Sequence, residues 1–429
     1  MNLKKTVLAI AILGTLACSK EKAATTPNQA DDVVAKATDK VADTLDIATP
    51  VGAPDDPKQR EQERFDERWR ELEAFRQAEA QKIAVAQQQA AQQQAAANIT
   101  FVTGQKEKLA GMDANAINAA PVNVPIKGDV AGPSVLKTQV YLDRVRFSVG
   151  ALDGRWGRNS AIAVWWYQRS RGMEPTGLMD EATFRALAND AGGVPAVVQR
   201  TLSADDVKGP FEKLPEDVYE KEKLDCLCYE SLQEKLAERF HTTVELLETL
   251  NPNVKFGELQ AGAPITVPNV REPVTSDNPQ IARIVVSIAG NTFNAFDSAD
   301  RLIFHAPTTL GSKFDPSPRE TLKVVKVAHD PHFHYQPKLF HEVPDDEPEA
   351  HLQPGPNSPV GVVWIALSKR HFGIHGTGDP DSIGYASSHG CIRLTNWDAR
   401  EVAHGVSPGV QVEFVDTRKK DAPKVDAGE

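Results

Sequence analysis

The spacing of apolar residues changes near residue 280, where a helical period gives way to alternation. Apolar residues alternate at 284–288, and apolar runs at 293–296 and 302–304 flank a polar turn as the arms of a hairpin would. Further β runs occupy 323–327 and 360–367, and little helix is predicted before the last part of the chain. The pattern therefore predicts a β-rich domain of about 140 residues in the C-terminal third.

Two small units with helical periodicity precede this domain, and a long polar helix without Gly or Pro precedes both. Their separation by polar, aperiodic stretches predicts a tether and linkers. The predicted segments are a signal at 1–18, a disordered tether at 19–57, a long helix at 58–98, a linker at 99–131, a small all-α domain at 132–190, a linker at 191–222, a small α+β domain at 223–270, the β-rich domain at 279–418 and a tail at 419–429.

Charge and length narrow the possible functions. A chain of 429 residues is long enough for two or three domains plus linkers. The formal net charge of −11 leaves no global basic surface, and no cluster of Lys and Arg stands out to supply one. Nucleic acid is therefore not expected as a partner.

The N-terminus has the order of a secretory signal. Lys4 and Lys5 precede an apolar run at 7–16 that is too short to span a bilayer, and Ala17-Cys18 follows. This arrangement resembles the lipobox of bacterial lipoproteins, which implies a lipid-modified Cys18, a periplasmic protein and an outer-membrane anchor. An ordinary cleaved signal peptide is the alternative.

Four cysteines occur, at 18, 226, 228 and 391, so the chain is not a disulfide-stapled scaffold. A bridge between Cys226 and Cys228 would close a very tight ring, and a buried pair of free thiols is favoured there. Cys391 is then unpaired in an exported protein, which invites a chemical explanation.

The all-α unit contains Asp153-Gly-Arg-Trp-Gly157, Ala163-Val-Trp-Trp-Tyr-Gln168 and Thr176-Gly177. These marks resemble the three-helix peptidoglycan-binding domain across about 55 residues. The aromatic residues of the second mark are alternatively core residues.

The α+β unit opens a helix after Tyr229-Glu-Ser and ends a second helix at Asn251-Pro-Asn, before a strand at 262–268. This order resembles a LysM fold, which implies binding of N-acetylglucosamine-containing glycans. The Gly-Asp-Thr turn typical of that family is replaced here by Tyr229-Glu-Ser, near the sugar site.

The strongest chemical pattern lies near the end of the β-rich domain. His375-Gly-Thr is followed, after a glycine-containing loop, by Ser388-His-Gly-Cys391-Ile-Arg393, with 16 residues from His375 to Cys391. This frame resembles the signature of the L,D-transpeptidase catalytic domain family over roughly residues 280–416. The resemblance implies a cysteine nucleophile at Cys391.

The residue types fit that chemistry. A thiol attacks only as the thiolate, and His375 is expected to lower its pKa if the strands that carry the two residues are neighbours. The resemblance implies that the carbonyl of Gly376 orients the imidazole. Gly390 permits a close turn, so that the amides of Gly390 and Cys391 can face a carbonyl oxygen. Cys391, His375, Gly376 and Gly390 are thus the candidate catalytic residues.

Residues beside the motif are candidates for substrate contact. In a strand, Arg393 would lie on the same side as Cys391, where it either binds a carboxylate in a fork or forms a structural salt bridge. His389 would point away and is assigned to the wall of the site. The remaining candidates are Ser388, Tyr335 and Asn396. The residues from Thr395 to Asp398 also resemble a capping box that starts a helix.

A group of histidines at 329, 332, 334 and 341 is a rival site, because alternate residues of a strand share a face. No fixed zinc spacing is met. The segment is instead predicted to be a long loop that forms a lid or part of a substrate groove. Neither a metal nor an organic cofactor is expected.

Together the resemblances imply an enzyme that attacks a peptidoglycan tetrapeptide stem through Cys391, releases D-Ala, and transfers the acyl group to an amine of a second stem or of a protein. The N-terminal modules are expected to hold it on glycan strands. A cysteine peptidase that transfers to water and a wall-anchoring scaffold with a silent site are the alternatives. The intact Cys391 and His375 argue against a silent site.

Overall fold

The computed structural model describes residues 57–278 and 280–416. The predicted signal, Cys18, the tether up to residue 56 and the tail lie outside the described residues. The chain divides into two compact units at residues 91 and 92. The predicted long helix is confirmed as α1 (Pro57–Ala97). No helix in the described ranges is both long enough and apolar enough to cross a membrane.

The all-α module contains α3 (Pro133–Arg144), α4 (Arg158–Ser170) and α5 (Glu181–Asp190). A glutamine side chain in each of the first two helices accepts hydrogen bonds from backbone amides of the loop that follows that helix. Gln139 accepts a hydrogen bond from the Gly154 amide at 2.8 Å, and Gln168 accepts from the amides of Thr176 and Gly177, each at 2.9 Å. Buried amides need such partners, which explains why the motif places glutamine in both helices.

The predicted linker at 99–131 is wrong, because this segment is part of the same core. It forms β1 (Phe101–Val102), α2 (Ala114–Ala119) and β2 (Val122–Asn123). Ile117 is fully buried there, and Lys137 of α3 donates to the Asn118 carbonyl at 3.0 Å. Elements of two to six residues are too short to produce a periodic pattern, so the spacing of apolar residues did not indicate them.

The second module is larger than predicted. Its helices α7 (Leu232–Arg239) and α8 (Val244–Leu250) lie between β3 (Val197–Thr201) and β4 (Pro264–Pro268), which pair antiparallel. The first strand therefore lies inside the predicted linker at 191–222, which also contains α6 (Val218–Lys221). Only the first side chain of β3 is buried, and the other four are partly or fully exposed. The sequence of this strand therefore resembles that of a loop.

The expectation of two free thiols in this module was also wrong. Cys226 and Cys228 form a disulfide, with their Cα atoms 5.2 Å apart. This Cα separation is within the range that disulfides span.

The β-rich domain contains one mixed sheet of eight strands. They are β5 (Arg283–Ser287), β6 (Thr292–Phe296), β7 (Leu302–Pro307), β8 (Leu322–His329), β11 (Val363–Leu367), β12 (Gly373–His375), β13 (Ile392–Arg393) and β14 (Gln411–Val415). Their order in the sheet is β13-β12-β11-β8-β14-β5-β6-β7. The predicted hairpin and β runs are confirmed. Helix α9 (Asn396–Gly405) packs on β11, and its N-cap Thr395 accepts from the Asp398 amide as predicted.

A buried ionic cluster joins the modules to the sheet domain. Arg271 contacts Asp143 of α3, Asp398 at 2.5 Å and Glu401 at 2.6 Å, the last two on α9. His241 of the second module lies 2.8 Å from the same Asp143 carboxylate. Burial alone would raise the pKa of Asp143, but the charge of Arg271 and the His241 contact outweigh burial and lower it to about 2.

Candidate active site

Three adjacent strands bring the motif together. β12 pairs antiparallel with β11 and parallel with β13, so that His375 lies between Trp364 and Arg393 in the sheet. Cys391 immediately precedes β13. His375 and Cys391 line one cavity of roughly 990 Å³, as do Arg393, Ser388 and His389. The requirement that the two strands be neighbours is therefore met.

His375 is oriented by its own backbone neighbour. Its Nδ1 lies 2.7 Å from the Gly376 carbonyl, the contact expected from the motif. Because a carbonyl only accepts, the ring proton resides on Nδ1 and the lone pair of Nε2 is left for a substrate or thiol. The ring stacks on Trp364 with centroids 5.6 Å apart. Burial, with help from the Arg393 charge, lowers the pKa of His375 to about 4, so the imidazole is neutral at pH 7.

Cys391 carries the free thiol expected from the sequence. Its Sγ lies 3.5 Å from the His371 carbonyl, which accepts the thiol hydrogen. Burial raises the pKa of the thiol, while the Gly373 amide and the Arg393 charge act in the opposite direction. Among the described residues no hydrogen bond joins Cys391 to His375. Burial raises the pKa of the Cys391 thiol and lowers that of His375, so burial opposes the expected thiolate–imidazolium pair.

The turn before Cys391 depends on Gly390. Its φ is +102°, a conformation that L side chains rarely adopt, and an added Cβ would lie 2.9 Å from the Phe372 ring. The Gly390 carbonyl accepts from Ser317 Oγ at 3.0 Å. Ser388 Oγ donates to the Cys391 carbonyl at 2.7 Å. The turn is thus held on both sides of the nucleophile.

Arg393 lies in the cavity without an ionic partner. The described part of the chain contains no salt bridge of Arg393, and its buried Nε has no hydrogen-bond partner. Burial lowers the pKa of Arg393, with the Asp379 charge acting in the opposite direction. The structural salt bridge, which was one of two alternatives for this residue, is therefore not formed among the residues described.

Residues 281–414 match the model of the L,D-transpeptidase catalytic domain, and residues 131–187 match that of a peptidoglycan-binding domain. A protein of Bacillus licheniformis named as the L,D-transpeptidase YkuD is 35% identical over 179 residues, which cover 42% of this chain and 90% of that protein. The chain belongs to the L,D-transpeptidase family. A Bacillus subtilis protein of the same name is 30% identical over 41% of this chain and 89% of its own length.

Solved structures give a further similarity. L,D-transpeptidase 3 from Mycobacterium tuberculosis, in complex with a faropenem-derived adduct, shares 18% identity, with a TM-score of 0.27. The alignment covers 37% of this chain and 76% of that one.

The other predicted contact residues of this L,D-transpeptidase fall into two groups. Tyr335 and His389 line the cavity, and His389 Nε2 lies 2.7 Å from Glu342 Oε1. Asn396 does not line it, so its prediction as a substrate contact was wrong. Asn396 is 1% exposed, and its amide donates to Glu238 at 2.8 Å and to the Pro356 carbonyl at 3.0 Å. It begins helix α9 and binds neighbouring segments instead.

The histidine group does not form one site. His334 contacts Glu349 at 2.8 Å and stacks on His351, whereas His341 contacts Asp315 at 2.6 Å. His329 stacks on His404 instead. The predicted long loop is also partly regular, since β9 (Phe333–Tyr335) and β10 (Ala350–Leu352) pair antiparallel within it. This hairpin forms one wall of the cavity.

Sequence reasoning missed one wall of the cavity altogether. Val218 and Lys221 of α6 line it, although they belong to the second module. Tyr219 holds this helix to residues 333–352, the segment from β9 to β10 that we call the hairpin segment, because its hydroxyl donates to the Pro348 carbonyl at 3.0 Å. The disulfide loop is held too: the Leu227 amide donates to the Pro354 carbonyl at 3.0 Å. A four-residue helix without buried side chains leaves no pattern that would have indicated this.

Proposed function

We propose that this L,D-transpeptidase forms a thioester between Cys391 and the third residue of a peptidoglycan tetrapeptide stem. The observation that carries the proposal is that a free thiol and a neutral imidazole, oriented through Nδ1, open into the same cavity. Since both groups are neutral at rest, His375 acts as a general base while Cys391 attacks, rather than pairing with a preformed thiolate.

The steps balance without a cofactor. The thiol proton passes to His375 Nε2 as the sulfur–carbon bond forms, and the terminal D-Ala leaves with that proton when the amide bond breaks. An acceptor amine then attacks the thioester and gives a proton to His375; the new amide forms as the sulfur–carbon bond breaks, and His375 returns that proton to the Sγ of Cys391. A second stem as acceptor gives a 3→3 cross-link, a protein amine gives attachment, and water gives hydrolysis.

The oxyanion of this reaction is assigned to the turn at Gly390. In the described part of the chain, the amides of Gly390 and Cys391 donate to no protein acceptor. Gly390 has a positive φ, which allows a close turn here, and the proposal directs both amides at the substrate carbonyl. One such donor is typically worth about 3 to 4 kcal/mol of transition-state stabilisation.

The cavity suits an anionic peptide. Lys221, Lys326, Arg370 and Arg393 line it, together with apolar side chains such as Phe372. Peptidoglycan stems carry free carboxylates, and a guanidinium that lines the cavity is a suitable partner for one of them. Arg393 is therefore proposed as a carboxylate anchor, with Tyr335 and His389 as wall contacts and Ser388 as the residue that holds the turn.

The decisive experiment uses the full chain and a defined disaccharide-tetrapeptide. Intact-mass spectrometry is expected to show the wild type carrying a tripeptide acyl adduct, and product analysis to show released D-Ala with cross-linked dimer. Cys391→Ala should lose the adduct and the dimer while keeping its melting temperature. His332→Gln, which changes another side chain of the cavity wall, serves as the control. An adduct that persists in Cys391→Ala would contradict the assignment, and tripeptide without dimer would identify a hydrolase.

We propose further that the second module is a LysM-type glycan-binding module. The two helices α7 and α8, enclosed between the antiparallel strands β3 and β4, support this, and the short helix α6 is an addition between β3 and α7. A surface pocket next to α8 includes Asn251, Lys255 and Phe256. Lys255→Glu in the Cys391→Ala chain should reduce pelleting with insoluble peptidoglycan, and Lys213→Glu, outside this pocket, should not. Equal pelleting of both variants would leave binding to the all-α module alone.

The localisation proposed is the periplasm, with a lipid on Cys18 as an outer-membrane anchor. The disulfide at Cys226 and Cys228 supports an oxidising compartment. Mass spectrometry of the mature N-terminus tests it, since a free amino terminus at any residue other than Cys18 would remove the lipid anchor.

A further inference from the structure

Four potential metal ligands meet at the rim of the cavity. They are Asp315, His341, Glu342 and His389, and one ligand atom from each lies within 4.8 Å of all the others. From this arrangement we propose a divalent-cation site of the Zn²⁺ type. It is distinct from the thiol, and it includes only one of the four histidines that the sequence grouped together.

The donor set has the right chemistry. Zn²⁺ takes imidazole nitrogen and carboxylate oxygen, commonly four in a tetrahedron. His341 Nδ1 lies 2.6 Å from Asp315 Oδ2 and 3.1 Å from Glu342 Oε2, and His389 Nε2 lies 2.7 Å from Glu342 Oε1. Bonds of about 2.0 to 2.2 Å to a central ion separate tetrahedral ligands by about 3.3 to 3.6 Å. Each of these three contacts needs to open by less than about 1 Å, and the other ligand pairs start no more than 4.8 Å apart.

Neighbouring aromatic rings orient both histidines. Phe314 stacks on His341 with ring centroids 4.8 Å apart, and Phe340 meets the edge of His389 at the same distance. Such packing restricts ring rotation, so that the two nitrogens stay directed at the shared carboxylate of Glu342. The four side chains remain partly exposed, which leaves a path for the ion.

The ligands come from three separate segments. Asp315 lies in the loop after β7, His341 and Glu342 lie in the hairpin segment, and His389 lies in the catalytic motif. Phe340 and His389 both line the cavity. A bound ion therefore fastens the hairpin segment to the motif beside Cys391, and the rim of the cavity becomes less mobile when the ion is bound.

Zinc binding to the full chain tests the proposal. Because a thiol also binds zinc, the background variant is Cys391→Ser. Isothermal titration with ZnCl₂ is expected to detect a site that weakens at least tenfold in His341→Gln and in Asp315→Asn. Hydrogen exchange of residues 337–343 should slow on zinc addition only where the site is intact. His332→Gln is the matched control, since it removes a histidine from the same wall but no ligand.

A second group, Asp277 with His329 and His404, offers three ligands elsewhere on the chain. His404→Gln distinguishes it from the rim site. Zinc affinity that falls in His404→Gln but not in His341→Gln or Asp315→Asn would overturn the proposal. So would the absence of binding at micromolar zinc, or a loss in His332→Gln equal to that in His341→Gln.

Discussion

The charge state of the Cys391 thiol leads to a prediction about its alkylation. The pKa of the thiol is raised from 9.0 by burial, and the His375 imidazole, with a pKa of about 4, is uncharged above pH 5. A thiol with a pKa of 9.0 is about 1% thiolate at pH 7, so Cys391 holds less than that. Iodoacetamide labelling should therefore rise about tenfold per pH unit from pH 7 to pH 9.

The His375→Ala variant distinguishes a neutral thiol and imidazole from a thiolate–imidazolium ion pair. If an imidazolium held the thiolate, labelling near pH 6 would collapse in the variant. With a neutral imidazole no charge is lost, and the profile above pH 7 should keep its slope, as it should in the control His389→Ala. A wild-type rate at pH 6 within tenfold of that at pH 9 would refute the neutral pair and restore the ion pair.

The lowered pKa of His375 is tested by the pH dependence of acylation below pH 7, because acylation needs His375 as a neutral base. A histidine with a pKa of about 4 is about 90% neutral at pH 5, whereas one with an ordinary pKa of 6.5 is about 3% neutral. Acylation of Cys391 by a carbapenem, followed by stopped-flow absorbance, should therefore lose little rate between pH 7 and pH 5. A midpoint near pH 6.5 would contradict the lowered pKa of His375.

Three further predictions follow from single residues. Gly390→Ala should cost about 1 to 3 kcal/mol of stability and most of the acylation rate, because the position requires a positive φ and lacks space for a Cβ; melting temperature and acylation kinetics measure both. Arg271→Met should destabilise the fold by about 3 to 5 kcal/mol, because it leaves buried carboxylates without their cation, whereas Arg200→Met at the exposed pair with Glu272 should cost less than about 1 kcal/mol. In the Arg271→Met variant the pKa of the buried carboxyls should lie above the value in the unfolded chain, so the melting temperature should be higher at pH 5 than at pH 7. In the wild type the pKa of Asp143 is instead lowered to about 2, so its contribution to stability is lost only as the pH falls toward 2. Lys221→Gln should raise KM for an anionic stem peptide several-fold with little change in kcat, and Lys223→Gln, whose amine pairs with Glu220 outside the cavity, should not.

The sequence predicted the elements that have a strong period or a capping signal. The strands from β5 to β8, the start of α9 at Thr395 and the long helix α1 were all confirmed. The strands were indicated by the spacing of apolar residues, the start of α9 by a capping pattern and α1 by a long run without Gly or Pro, and all three are local properties of the sequence. Strands β1, β2 and β3 are too short or too exposed to carry such a signal and were assigned to linkers. Helix α2 was assigned to a linker as well, although Asp113 caps it by accepting from the Ala116 amide.

The motif located the reactive residues but not their charge state. Its spacing predicted that His375 and Cys391 would meet and that the Gly376 carbonyl would orient the ring. The degree of enclosure around the pair depends on Trp364, Phe372 and the hairpin wall, which come from separate parts of the sheet domain. A pKa follows from that enclosure, so no pattern within the motif could have indicated that both groups are neutral.

The contacts between the modules and the sheet domain bear on how a peptidoglycan-binding module can assist catalysis. Arg271 links Asp143 of the all-α module to Asp398 and Glu401 of α9, and the Tyr219 hydroxyl contacts the segment that carries the hairpin wall. Flexible tethering would only raise the local concentration of substrate. Here a buried charge cluster holds the all-α module against α9, and the Tyr219 contact holds α6 beside the cavity, so both are fixed in position relative to Cys391.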